Sequence, residues 1–270
     1  MQQAADFRAE CASLHALLGT LGEARLGIET RFKGWTFSDI IRHLAVWDMA
    51  ARLALADGAA FQRFFVPVAG HMKNDTLRLF ERNFVPQQGL ELVDHWYGNA
   101  LATADLYEAA DPRQRLKWGG PDLSARTCIT SRQMETWSHS QAIYDELGLV
   151  RVDGDRIRNI VQMGVQTFGW TFQNRGMVPP GPMPRLELTA PSGMLWRWDA
   201  PESDELITGC ATEFCQVVAQ TRNIADTQLQ CSGPVGAAWM AMAQCFAGPP
   251  TDPPLPGERG ASAWSEPASK

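Results

Sequence analysis

None of the six cysteines, Cys11, Cys128, Cys210, Cys215, Cys231 and Cys245, stands in the C-x-x-C spacing that brings two thiolates onto one metal ion. That excludes the thiolate zinc sites and leaves the cysteines as small buried hydrophobes in a reducing compartment. The 270 residues carry a net charge of −6 and no block of consecutive Lys or Arg, so there is no electrostatic footprint for a nucleic acid or an anionic membrane. No window offers the roughly 18 uninterrupted apolar residues of a membrane-crossing helix. The N-terminal stretch "MQQAADFRAECASLHALLGTL" lacks the basic start, apolar run and cleavage site of a signal peptide. A G-x-S-x-G nucleophile motif is missing too, which favours metal-centred chemistry. These absences predict a cytoplasmic protein whose partners are small molecules or proteins.

What is present is apolar mass: 45% hydrophobic residues with ten Trp and twelve Phe, enough to bury one large core or two smaller ones. Phe7, Cys11, Leu14 and Leu18 recur every three to four residues and predict a helix over 4–19. The stretch "GWTFSDIIRHLAVWDMAARLALADG" predicts a second, with Thr36 as N-cap, Asp39 completing a capping box, and a stop at Gly58. A shorter helix is expected over "NDTLRLFERN", a long one over "QQGLELVDHWYGNALATADLYEAAD", and another from near Ser124 to Gly148, a residue suited to the position just past a helix end. With no strand expected before residue 150, the reading is an α-helical four-helix bundle over 1–150.

Past "VRVDGD" the pattern changes. A helix is expected over 155–174, then "NRGMVPPGPMP" interrupts the chain, and "RLELTAP" and "MLWRWDAP" alternate as a hairpin about Pro-Ser-Gly. A helix over 210–221, a short strand near "TQLQCSG" and a helix from Pro234 to Phe246 complete a small α+β C-terminal domain over 151–248. The Pro-, Gly- and Ser-rich residues 249–270 read as a disordered tail.

One stretch, "RQMETWSHSQAIYDELG", bears on chemistry. Glu135 and His139 lie about 40° apart on their helix, close enough for a carboxylate oxygen and an imidazole nitrogen to meet on one ion. A third ligand has to come from a facing helix, and His43 is the best placed candidate. Two His and one Glu leave a coordination position open, as in catalytic zinc sites. The competing reading is a hydrogen-bonded Glu–His pair and a core histidine, and spacing alone leaves both open.

The two segments together resemble the DinB-like superfamily and, within it, the mycothiol-dependent maleylpyruvate isomerases. Trp35, Thr36, Asp39, His43 and Leu44 match that group's Trp-Ser/Thr-x-x-Asp-x-x-x-His-Leu segment, and Arg132, Glu135 and His139 match its Arg-x-x-Glu-x-x-x-His segment. The resemblance implies a divalent metal on His43, Glu135 and His139, and extends through "ITGCATEF" and "GPVGAAWMAMAQCFAGPP" to the α+β domain of a metal-binding branch. It also implies a low-molecular-weight thiol as cosubstrate and an unsaturated acid as substrate, with Arg222 as counterpart of an arginine in the C-terminal domain. Zinc is the metal that two imidazoles and one carboxylate suit first, with Ni, Fe and Mn as alternatives.

Other residues have two readings each. Arg132 returns to within about 20° of His139 and would hold a substrate carboxylate, orient Glu135, or form a surface ion pair. Asp39 would orient His43 or, as we favour, cap the helix. Trp35, Trp47 and Trp137 are expected to wall the cavity, although core packing also accounts for them. Asp48, about 140° from His43, is not expected to ligate, and His15, His71 and His95 fit no site. Three functions follow: a thiol-dependent isomerase or thiol transferase; a hydrolase, hydratase or lyase using metal-bound water; or a non-catalytic metal or ligand binder.

Overall fold

The computed structural model describes residues 1–260 and divides into two units, Met1–Ile143 and Tyr144–Lys270. Ten α-helices and six short strands occur among the described residues, so the chain is mostly helical with a small sheet region.

In the first unit, α1 (Gln2–Gly19) buries Ala4, Phe7, Cys11, Leu14 and Leu18, the stripe that its spacing predicts. Helix α2 (Phe37–Ala56) begins with the predicted capping box: the Thr36 hydroxyl accepts from the Asp39 amide at 3.1 Å, and the Asp39 carboxylate accepts from the Thr36 amide at 3.2 Å. The box satisfies two otherwise orphaned amides, and such caps contribute about 1 kcal/mol. Helices α4 (Leu77–Phe84) and α5 (Gly89–Ala109) follow, and α5 packs on both α1 and α2. Helix α6 (Ala125–Glu146) is tied to each of these three. Its Thr136 meets Cys11, its Arg132 meets Asp48, and its Cys128 accepts from the Tyr107 hydroxyl at 3.1 Å.

Two features depart from expectation here. Residues 58–73, assigned no element from sequence, form α3 (Gly58–Lys73). Gly58 and the internal Pro67 mask it, but the Asp57 side chain accepts from the amides of Ala59 and Ala60, and the missing Pro67 N–H costs only one internal bond. A two-residue ladder of β1 (Arg115–Leu116) and β2 (Leu123–Ser124) precedes α6, where no strand was expected.

The second unit opens with the last residues of α6, closed at Gly148 (φ 64) by bonds from the Gly148 amide to the Asp145 carbonyl and from the Leu149 amide to the Tyr144 carbonyl. This is the paired closure that an αL glycine permits. The single helix expected over 155–174 is two, α7 (Arg158–Gln166) and α8 (Phe168–Gln173). Thr167 separates them, its hydroxyl bonding back to the carbonyls of Met163 and Gly164 and bending the chain. The hairpin is present as β3 (Arg185–Thr189) and β4 (Leu195–Trp198), antiparallel with Leu188 opposite Trp196. An unpredicted strand, β5 (Leu206–Cys210), pairs parallel to β3, and β6 (Gln230–Cys231) closes the order β4-β3-β5-β6. Helix α9 (Ala211–Val218) lies on α7 and the sheet, and α10 (Pro234–Met240) ends six residues short of the expected Phe246. Phe168, Phe172, Phe214 and Trp239 pack edge to face in the core.

The tail expected to be disordered from residue 249 is held in place as far as Gly260. Thr251 bonds to Gln220 and Gln244, the Pro254 carbonyl accepts from Asn223, and Arg259 donates to the Gln220 carbonyl. Buried polar side chains of the second unit fix it, a cause that composition does not show. Residues 261–270, the rest of that expectation, lie outside the described residues.

Candidate metal centre

His43 sits in the middle of α2, and Glu135 and His139 sit one turn apart on α6. The structure brings the three together, with one ligand atom from each within 4.8 Å of the others. Oε2 of Glu135 lies between the imidazoles, 3.1 Å from Nε2 of His139 and 3.9 Å from Nε2 of His43. Two neutral nitrogen donors and one carboxylate suit zinc, and three protein ligands leave a position open.

The electrostatics of the cluster hold its carboxylate ionised. Burial by itself would push the Glu135 carboxyl up, but the hydrogen bond from His139 and the charges of His139, Arg132 and His43 more than offset it and hold the group down at about 2. Burial pushes the His139 imidazole below its ordinary value, aided by His43 and opposed by Glu135. Glu135 is therefore ionised at neutral pH, and the bond it accepts uses the Nε2 proton of His139, which an ion at this place would displace.

Aromatic rings enclose the cluster. Trp35 stacks on His139 with ring centres 5.6 Å apart and planes 4° apart, and meets His43 at 5.2 Å. Phe32 stands edge-on to His139 at 5.1 Å. Trp47 lies 6.1 Å from His43 and continues into Phe65 and Trp118. Its buried Nε1 finds no acceptor among the described residues, so a polar ligand beside it would meet a donor. Trp137 belongs elsewhere: two positions from each α6 ligand it is rotated about 160° from both, and it is fully buried in the core.

The remaining candidates are committed to carboxylates. Nε of Arg132 lies 2.8 Å from Oδ1 of Asp48, both side chains being buried, so Arg132 is not a surface ion pair, and its buried Nη2 has no hydrogen-bond partner among the described residues. Asp48, which spacing sets aside as a ligand, is that partner. Asp39 caps α2 and receives two bonds from Arg82, at 2.8 and 2.9 Å, and points to neither imidazole by any bond among the described residues. In the second unit, Arg222 is held by both oxygens of Asp145, at 2.6 and 2.8 Å. His15 stacks on Tyr97, His71 bonds Thr76, and His95 bonds Asn99, all apart from the cluster. A cavity of about 640 Å³ lined by Glu23, Leu26, Ser38, Arg42 and Gln88 contains none of the three converging residues.

Sequence reasoning missed two neighbours. Phe32 lies in a loop with no periodicity. Glu81, whose Oε1 is 2.8 Å from Nδ1 of His43, lies in a predicted helix but carries no spacing signal toward α2.

Comparison with known proteins agrees with this architecture. The profile of the mycothiol maleylpyruvate isomerase N-terminal domain matches residues 7–144. Uncharacterised proteins from two strains of Mycobacterium tuberculosis, CDC 1551 / Oshkosh and ATCC 25618 / H37Rv, are each 32% identical over 250 residues, covering 91% of this chain and 95% of theirs. A crystal structure of the mycothiol-dependent maleylpyruvate isomerase shares the fold at a TM-score of 0.54 and 14% identity, over 86% of this chain and 92% of that one. The structure of a histidine-to-alanine mutant of such an isomerase gives 0.55 and 15% over the same shares.

Proposed function

The chain belongs to the mycothiol maleylpyruvate isomerase N-terminal domain family, and from that premise we propose that it is a metal-dependent enzyme of isomerase or thiol-transferase type. In this reading α1, α2, α5 and α6 are the DinB-like four-helix bundle, and His43, Glu135 and His139 hold zinc. The substrate is a small unsaturated carboxylic acid and the cosubstrate a low-molecular-weight thiol, in a cytoplasmic protein. The observation that carries the reading is the convergence of the three side chains within 4.8 Å inside an aromatic box.

His43, Glu135 and His139 would hold the ion, which would supply Lewis acidity and make a thiol easier to deprotonate. The chain's own residues prepare the place. Glu135, ionised beside His139 and Arg132, balances the positive charge of the ion. Trp35 and Phe32 fix the His139 ring and keep water from its faces. Thiol addition to an unsaturated acid and its later elimination permit rotation about the former double bond, which is the isomerisation.

One observation favours a second reading. A substrate acid needs a cationic anchor, yet Arg222 is held by both oxygens of Asp145 and Arg132 is tied through Nε to Asp48 in a buried pair. A hydrolase, hydratase or lyase that activates water at the same centre needs no such anchor. The test is to assay the zinc-loaded protein on cis-unsaturated dicarboxylic acids such as maleate, with and without a low-molecular-weight thiol, beside His139→Ala. Turnover that requires thiol and disappears in the variant supports the first reading. Thiol-independent turnover selects the second, and no turnover with intact metal binding leaves a non-catalytic binder.

A further inference from the structure

His43 has two ring nitrogens, and they face different neighbours. Nε2 is 3.9 Å from Oε2 of Glu135, whereas Nδ1 is 2.8 Å from Oε1 of Glu81. Glu81 is 1% exposed, a costly place for a carboxylate unless its hydrogen bond serves a purpose. The next residue on α4 is Arg82, which grips Asp39 through two bonds, at 2.8 and 2.9 Å. Asp39 caps α2 one turn before His43. Two consecutive residues of α4 thus take hold of α2, one at its cap and one at its histidine.

A carboxylate has only acceptors, so with Glu81 as the acceptor the 2.8 Å contact places a His43 ring proton on Nδ1. In the neutral ring the lone pair is then left on Nε2, the nitrogen nearer Glu135 and His139. Without Glu81 the two tautomers would compete, and the ring would turn more freely.

We propose that Glu81 is the positioning residue for His43: delivered by α4 and registered by the Arg82–Asp39 pair, it accepts from Nδ1 and presents Nε2 to the metal. This deepens the metal-centre reading and rests on it. It assigns a task to α4, which contributes no ligand of its own. A purely structural bond between α4 and α2 would set the same tautomer but would leave metal affinity unchanged when the acceptor is removed.

The experiment has two readouts. Nitrogen NMR of the imidazoles in the metal-free wild type reports the His43 tautomer, and competition with a chromophoric chelator reports Zn²⁺ affinity in wild type, Glu81→Ala, Glu81→Gln and His43→Ala. We expect protonated Nδ1 in the wild type, a tautomer mixture in Glu81→Ala, and about 10–100-fold weaker Zn²⁺ binding there. Glu81→Gln, which keeps an acceptor oxygen, should retain the tautomer and most of the affinity. A wild-type His43 protonated on Nε2 overturns the proposal without any variant, so misfolding of Glu81→Ala does not shelter it. Unchanged affinity in Glu81→Ala, with affinity lost in His43→Ala, also overturns it while sparing the metal centre. Unchanged affinity in His43→Ala removes both.

Discussion

Nε of Arg132 lies 2.8 Å from Oδ1 of Asp48, and neither side chain is more than 3% exposed. Burial pushes the Asp48 carboxyl up and Arg132 draws it down, with burial the larger effect. Removing one partner strands the other charge. Arg132→Met is therefore expected to cost about 3–5 kcal/mol in denaturant unfolding, whereas Arg132→Met with Asp48→Leu should recover most of the loss. Additive losses in the double variant would show that the two residues act separately.

Asp39 gives a pH dependence with a definite sign. Burial would raise its carboxyl, but bonds from Arg82 and from the Thr36 amide and hydroxyl bring it below the ordinary value. A depressed folded-state pKa contributes stability that is complete above the unfolded value, about 3.9, and lost as pH falls through the folded one. The stability gap between wild type and Asp39→Asn should thus hold steady from pH 7 to about 5 and shrink on further acidification. Urea unfolding at several pH values checks it, and a gap that widens in acid would contradict it.

Gly164 on α7 faces α9 with no room for a side chain. An added Cβ would come within 2.9 Å of Phe214 and 3.1 Å of Val218. Gly164→Ala should overpack this contact and cost about 1–3 kcal/mol, with a lower Tm by calorimetry. An unchanged Tm would mean that the helices separate without penalty.

The Glu135–His139 pair and the long helices were legible in the sequence because each depends on spacing along a single helix, whereas His43 came from the facing helix α2. Glu135 and His139 share a face by periodicity, the Thr36–Asp39 box marks a helix start, and Gly148 marks an end. What escaped depends on placement between elements. The Glu81–His43 bond follows from where α4 settles on α2, and nothing in "NDTLRLFERN" announces it. Angle alone placed Arg132 near Glu135, but it does not reveal the bond to Asp48, a buried carboxylate on the neighbouring helix. Helix α3 was hidden by Gly58 and Pro67, both tolerated where they occur. The parallel pairing of β5 with β3 is a long-range contact whose strand is too short to show alternation.

Elemental analysis of the purified wild type beside His43→Ala and His139→Ala tests the central claim most directly. The account predicts about one equivalent of zinc or another transition metal in the wild type and none in either variant, in line with a three-ligand site. A wild type that stays metal-free after reconstitution with zinc would contradict it.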